Sequence, residues 1–276
     1  MKILVTGQQG QVARCLADRA ADHPELELVF AARKGTAVFL DLTDEASIRA
    51  AVKVVQPDII INAAAYTAVD QAEDEPDLAM QINGIAPGIL ADAAESLRAR
   101  IIQISTDYVF DGELDRPYRP DDLVNPIGVY GKTKLAGEEA VRAATPNHVI
   151  VRTAWIYSPY GKNFYKTMLR LAESRDEVSV VDDQIGNPTS AYEIADGLLA
   201  ICDDWANGGR SHLGETIHLV GPEEMTWCGF ARKVFAESVV DGGSNCHVNA
   251  ITTEDFPTKA KRPKNSRLAS VKLQHF

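Results

Sequence analysis

Lys2-Ile3-Leu4-Val5-Thr6-Gly7-Gln8-Gln9-Gly10-Gln11-Val12-Ala13 is the stretch that decides the fold. Its first five residues read as a strand, and from Gln11 to Asp22 the apolar Val12, Leu16 and Ala20 repeat at helical spacing. A glycine turn between a strand and a helix offers backbone amides and the positive end of a helix dipole, the environment a pyrophosphate needs. Gly7 permits the tight turn, Gly10 keeps a Cβ away from the phosphates, and Ala13 lets the helix pack closely on the sheet. The spacing is G-x-x-G-x-x-A rather than the commoner G-x-G-x-x-G, so its position between strand and helix carries the weight. It predicts a dinucleotide site.

Outward from this turn, short β-rich runs alternate with helical patterns. Strands are expected at Leu26–Ala31, Ile59–Asn62 and Ile101–Ser105, and helices at Ala46–Val55, capped by Thr43, and at Asp77–Leu97, kinked at Pro87. After a loop-like stretch from Asp111 to Pro126 come a helix over Val129–Ala143, a strand over His148–Trp155 and a later sheet-like piece at Thr216–Val220. The pattern predicts an α/β fold, a Rossmann-type doubly wound parallel sheet. Residues 158–188 and 221–276 break the alternation and are assigned to a smaller C-terminal substrate-binding lobe. That leaves residues 1–157 plus about 189–220 as the dinucleotide-binding domain.

A formal net charge of −11 argues against nucleic acid, since phosphate binding needs a basic face. One local exception is the run Lys259, Lys261, Arg262, Lys264, Arg267 and Lys272, which contains no acidic residue. The four cysteines, Cys15, Cys202, Cys228 and Cys246, form no C-x-x-C pair and no ligand-like spacing with histidine, so neither zinc nor a disulfide framework is indicated. The apolar run at the N-terminus is too short for a signal peptide, and none elsewhere reaches membrane-spanning length. The expected setting is cytoplasmic, away from membranes.

An acidic residue normally ends the second strand of an NAD site to hold the ribose 2′-hydroxyl. Here that neighbourhood reads Ala31-Ala32-Arg33-Lys34, and an arginine suits the 2′-phosphate of NADP. NADPH is therefore the expected cofactor, with NADH as the alternative. Asp41-Leu42 is placed to flank the adenine.

Tyr130-Gly131-Lys132-Thr133-Lys134 sets a phenol and an ammonium four residues apart, on one helix face. A fixed positive charge stabilises a phenolate and makes the tyrosine a usable proton donor. Y-x-x-x-K alone is a weak pattern that also describes a surface helix pair. Ser105-Thr106-Asp107-Tyr108 adds hydroxyls at the carboxyl end of a strand, where ligands bind in open α/β sheets. Such a group can polarise a carbonyl that receives hydride, or it can cap a turn.

Six ordered blocks resemble the extended short-chain dehydrogenase/reductases and, within them, the dTDP-4-dehydrorhamnose reductase family. They are Asn62-Ala63-Ala64-Ala65-Tyr66-Thr67-Ala68-Val69-Asp70, Ser105-Thr106-Asp107-Tyr108-Val109-Phe110-Asp111-Gly112, Tyr130-Gly131-Lys132-Thr133-Lys134, Arg152-Thr153-Ala154-Trp155, Asp183-Gln184 with Pro188-Thr189, and Arg262-Pro263 with Ser266-Arg267-Leu268. The resemblance implies reduction of the 4-keto group of a dTDP-linked 4-keto-6-deoxysugar, dTDP-4-dehydro-L-rhamnose, to dTDP-L-rhamnose. It implies Tyr130 as proton donor, Lys134 as the residue that tunes it and holds the nicotinamide ribose, and Thr106 as the group that orients the carbonyl. Cofactor contacts carried over are Gly10, Gln11, Val12, Asp41, Leu42, Ala65, Tyr66 and Thr67; sugar contacts are Thr106, Asp107 and Trp155. Some relatives carry an acid where Ala32 stands, and its absence speaks for NADPH. Members continue through a further helix after the Ser266-Arg267-Leu268 block, whereas this chain ends at Phe276.

The resemblance also gives the basic run a purpose, neutralising a diphosphate. A homodimer is expected, and no metal site. The competing readings are a nucleotide-sugar reductase or epimerase with another substrate, and a non-catalytic NADP-binding regulatory subunit.

Overall fold

The structure is a computed structural model and describes residues 1–270, so Lys272 of the basic run lies outside the described residues. The first strand, β1 (Lys2–Thr6), feeds α1 (Gln11–Arg19), followed by β2 (Glu27–Ala32), β3 (Val38–Phe39), α2 (Glu45–Val55) and β4 (Ile59–Asn62). Next come the short helices α3 (Val69–Ala72) and α4 (Pro76–Met80), then α5 (Ala86–Ser96), β5 (Arg100–Thr106), α6 (Val129–Ala144) and β6 (His148–Thr153). The chain then runs through β7 (Ile156–Tyr157), α7 (Phe164–Ala172), β8 (Glu177–Val181), β9 (Ile185–Gly186), β10 (Thr189–Ser190) and α8 (Ala191–Ala206). It ends with β11 (Thr216–His218), β12 (Met225–Thr226), α9 (Trp227–Val240) and β13 (His247–Ile251).

Seven strands form one parallel sheet in the order β11-β6-β5-β4-β1-β2-β3. Alternate residues of its strands face opposite layers. Ile3, Val5, Ile59 and Ile61 pack toward α1 and α8, whereas Leu4, Ile60 and Ile101 pack toward α2 and α5. Burial on both faces explains why β1, β4 and β5 are apolar runs rather than alternating ones. The strand order reverses between β1 and β4, which opens a crevice at their carboxyl ends beside the glycine turn.

A second core lies outside this sheet. Helices α7 and α9 pack on the parallel pair β8–β13, burying Met168, Val178, Val180, Phe235 and Val248. Two further small pairs, β7–β10 and β9–β12, stitch the connecting segments together.

Four local expectations need correction. The cap of α2 is Asp44, whose carboxylate accepts from the Ala46 amide at 2.9 Å, while the Thr43 hydroxyl donates instead to Asp41. The expected helix over Asp77–Leu97 is interrupted at Gln81–Ile85 by a π-type turn rather than bent at Pro87. Pro87 has no N–H for the Asn83 carbonyl, and the widened turn swings the Asn83 side chain inward to clamp the backbone of Tyr66. The strand expected to reach Trp155 stops at Thr153, because Trp155 itself adopts a left-handed φ of 45°. The piece expected over Thr216–Val220 is a strand only to His218.

Candidate active site

The turn between β1 and α1 has the features expected of a phosphate cradle. Gly7 has φ of 79°, and a Cβ there would stand 3.2 Å from that of Ala64, so glycine is required. Gly10 is the N-cap of α1, with no side chain capping the helix and no acid in the first turn. Its free amide donors and the open space above Gly10 suit a pyrophosphate. A cleft of about 180 Å³ beside the turn is lined by Gly7, Ala32, Arg33, Asp41, Leu42 and Ala65, among others. Five of the residues expected at the cofactor thus share one concavity. The exposed Arg33 also helps hold the Asp41 carboxyl below the usual carboxylate range, after the larger effect of the Thr43 amide.

The remaining expected cofactor contacts are arranged differently. Val12 is buried in the core under α1. Gln11 turns its side-chain oxygen toward Ser158 and Asn163, at 2.9 and 2.8 Å, tying the phosphate turn to the segment entering α7. Tyr66 donates its hydroxyl to Glu75 at 2.7 Å, and Thr67 is exposed.

Tyr130 and Lys134 lie on the first turns of α6, and Thr106 closes β5. Lys134 is buried and donates to the Ile104 carbonyl at 2.7 Å; burial pushes its pKa down to about 8 while Glu138 pulls the other way. Tyr130 is half-buried, with its ring set edge-on to Tyr108 at 5.4 Å. Burial and the Asp107 carboxylate push its phenol up to about 12, against a smaller downward pull from the Thr106 hydroxyl. The expected lowering of the phenol by Lys134 is therefore not the balance found. Thr106 donates to Asp107 at 2.9 Å and accepts from the Tyr108 amide at 3.2 Å, so its proton must rotate before it can reach a carbonyl.

Asp107 is buried, and burial raises its carboxyl to about 6. Its Oδ2 has no partner of hydrogen-bond geometry, although Ser266 stands near enough to lower it somewhat. An unsatisfied buried carboxylate oxygen is costly unless something docks on it. Trp155, the expected wall for the sugar, stacks face to face on Trp227 with centroids 3.5 Å apart. A Cβ at Gly186 would fall 2.5 Å from the indole, so only glycine there leaves room for the ring.

Sequence reasoning missed Trp227, Gly186 and the polar ladder beneath the site. Thr6 donates to Asn62 at 2.6 Å, Asn62 to Gln103 at 2.7 Å, and Gln103 to the Ile104 carbonyl at 2.8 Å, where Lys134 also ends. Polar residues inside three otherwise apolar strands were the available signal for that ladder. The basic run is largely neutralised. Lys259 pairs with Asp74, Arg262 with Asp70 at 2.7 Å and Arg267 with Glu224 at 3.1 Å, leaving Lys261 and Lys264 exposed. At the opposite, amino ends of the strands, His23, Glu25 and Asp203 gather potential ligand atoms within 4.8 Å of one another. Among the described residues, no helix is long and apolar enough to cross a membrane.

Comparison with known proteins places this arrangement. The family described as the RmlD substrate binding domain matches residues 1–276. The dTDP-4-dehydrorhamnose reductase of Sinorhizobium fredii is 43% identical over 274 residues, covering 99% of this chain and 90% of the relative. The crystal structure of a dTDP-4-dehydrorhamnose reductase from Clostridium acetobutylicum is 41% identical with a TM-score of 0.87, covering 98% of this chain and 90% of that one. The Bacillus anthracis enzyme of the same name, solved in complex with NADP, is 35% identical with a TM-score of 0.88 at the same coverage.

Proposed function

The chain belongs to the RmlD family of dTDP-4-dehydrorhamnose reductases, and on that premise we propose that it reduces the 4-keto group of dTDP-4-dehydro-L-rhamnose with NADPH to give dTDP-L-rhamnose. The observation that carries the reading is the juxtaposition, at the carboxyl ends of one parallel sheet, of an uncapped glycine turn with Thr106, Tyr130 and Lys134.

NADPH supplies the hydride when bound, its phosphates held by the turn at Gly7 and Gly10 and its 2′-phosphate by Arg33. Tyr130 gives the proton to the carbonyl oxygen. A phenol pushed up to about 12 is fully protonated at neutral pH, which is the state a proton donor must start from. Lys134 is a buried positive charge whose field favours the phenolate left after transfer. Thr106 rotates its hydroxyl from Asp107 to the carbonyl, and the freed Asp107 carboxylate accepts from a sugar hydroxyl through its unpartnered Oδ2. Trp155 forms the apolar wall against the deoxysugar.

In this reading residues 1–157 with about 189–220 hold the cofactor, and 158–188 with 221–276 hold the sugar nucleotide. The protein acts as a cytoplasmic homodimer without nucleic acid, the dimer being checked by sedimentation. The function is tested by offering a panel of dTDP- and UDP-linked keto sugars and following NADPH absorbance. Stoichiometric NADPH consumption with dTDP-4-dehydrorhamnose is the expected result. Turnover of the sugar without net consumption would make the protein an epimerase instead.

A further inference from the structure

The carboxylate of Glu138 is fully buried one helical turn beyond Lys134 on α6, and four donated hydrogen bonds converge on it. Ser105 Oγ reaches Oε1 at 2.5 Å, Arg152 reaches Oε1 and Oε2 at 2.9 and 2.8 Å, and Arg142 reaches Oε2 at 2.8 Å. Ser105 lies between Ile104, whose carbonyl takes the Lys134 ammonium, and Thr106. Adjacent residues of β5 are therefore tied to two residues of α6 that stand one turn apart. An apolar side chain of similar volume would hold the helix to the strand without the desolvation cost of a buried ion cluster. The charge itself points to a role beyond packing.

Charged and titratable groups face this cluster from several elements. Arg142 comes from α6 itself, Arg152 from β6 and His218 from β11. His218 is kept neutral at pH 7, since burial and then Arg152 push it down to about 4. On the remaining side α6 meets Asn83 and Pro87, which pack uncharged on Gly137. Of all these, Glu138 is the one group that opposes the burial of the Lys134 ammonium.

We propose that Glu138 is a positioning residue for the reducing site: through Ser105 and Arg152 it fixes the end of β5 against α6, and one turn along the same helix it sets a negative charge beside the Lys134 ammonium. The proposal rests on the reading of Tyr130, Lys134 and Thr106 as the reducing groups.

The test is the pH profile of kcat for NADPH-dependent reduction in the native protein, Glu138→Gln, Glu138→Asp and Lys134→Met. Removing a negative charge beside an ammonium makes its deprotonation easier, so the alkaline midpoint should move to lower pH. In Glu138→Gln we expect the midpoint to fall by about one pH unit, which by titration alone lowers kcat roughly twofold at pH 7, and in Glu138→Asp recovery of the native midpoint. A Glu138→Gln protein that melts cooperatively with an unshifted midpoint overturns the proposal. If that variant does not fold, because Arg152 is left buried without its partner, Glu138→Gln combined with Arg152→Met removes both charges. Because the double variant loses one charge of each sign, its readout is kcat: native kcat in a folded double variant, or its failure to fold, assigns Glu138 to stability alone and likewise overturns the proposal. Lys134→Met separates the two levels of argument. Retained turnover there removes the reading of the site itself, whereas an inactive Lys134→Met beside an unshifted Glu138→Gln removes only the role of Glu138.

Discussion

Lys134 donates its ammonium to the Ile104 carbonyl at 2.7 Å, two residues before Thr106 on the same strand. The tether fixes a buried charge at the end of β5, where burial pushes its pKa down to about 8. If turnover needs the ammonium, activity must decline as pH rises through about 8. Stability should respond with the opposite sign. Below about pH 8 the folded protein holds a costly buried charge; between there and the ordinary lysine range it sheds that charge while the unfolded chain does not, so this residue's contribution to stability improves. A pH series of kcat and of thermal melting checks both limbs, and a rate that stays level to pH 10 contradicts the assignment.

Tyr130→Phe keeps the ring that stands edge-on to Tyr108 and removes only the hydroxyl. Loss of a positioned proton donor should lower kcat roughly 10²- to 10⁴-fold. NADPH affinity, measured by fluorescence titration, should stay within about twofold. Comparable losses in both quantities would mean that the phenol serves binding rather than proton transfer.

The sheet was legible because its strands are apolar on both faces, and a strand followed by glycines and an amphipathic helix has few other readings. Local chain geometry was legible too: the turn at Gly7, and Tyr130 and Lys134 one helical turn apart. What escaped depends on contacts between distant segments. The Asn83 side chain reaching the Tyr66 backbone, Glu138 meeting Arg152, and Trp155 meeting Trp227 are pairings that no local periodicity encodes. The basic run misled for the same reason, because its carboxylate partners Asp70, Asp74 and Glu224 lie far away in sequence.

Arg33 is exposed at the rim of the cleft beside Asp41, where β2 ends. A guanidinium there discriminates between cofactors only through the 2′-phosphate. Arg33→Ala should raise the KM for NADPH roughly tenfold and leave that for NADH within about twofold. Equal changes in steady-state kinetics with the two cofactors would show that the residue does not touch the 2′-phosphate.

Trp227 opens α9, whose cap Thr226 accepts from the Gly229 amide at 3.0 Å and donates to Asp182 at 2.5 Å, so the indole starts from a fixed backbone. Its ring lies 7° from parallel to that of Trp155, and Phe164 packs on it at 4.7 Å. This stack makes Trp227 the support that sets the position of the proposed sugar wall. An aromatic pair contributes about 0.5–1.5 kcal/mol beyond its buried area, which bounds the expected effect at about tenfold. Trp227→Leu should raise the KM for the keto sugar roughly three- to tenfold, leave the KM for NADPH unchanged and reduce the near-ultraviolet circular dichroism of the coupled indoles. Trp227→Phe should recover most of the sugar affinity. If Trp227→Leu loses the indole signal while the sugar KM stays at the native value, Trp155 is ordinary core and the sugar lies elsewhere.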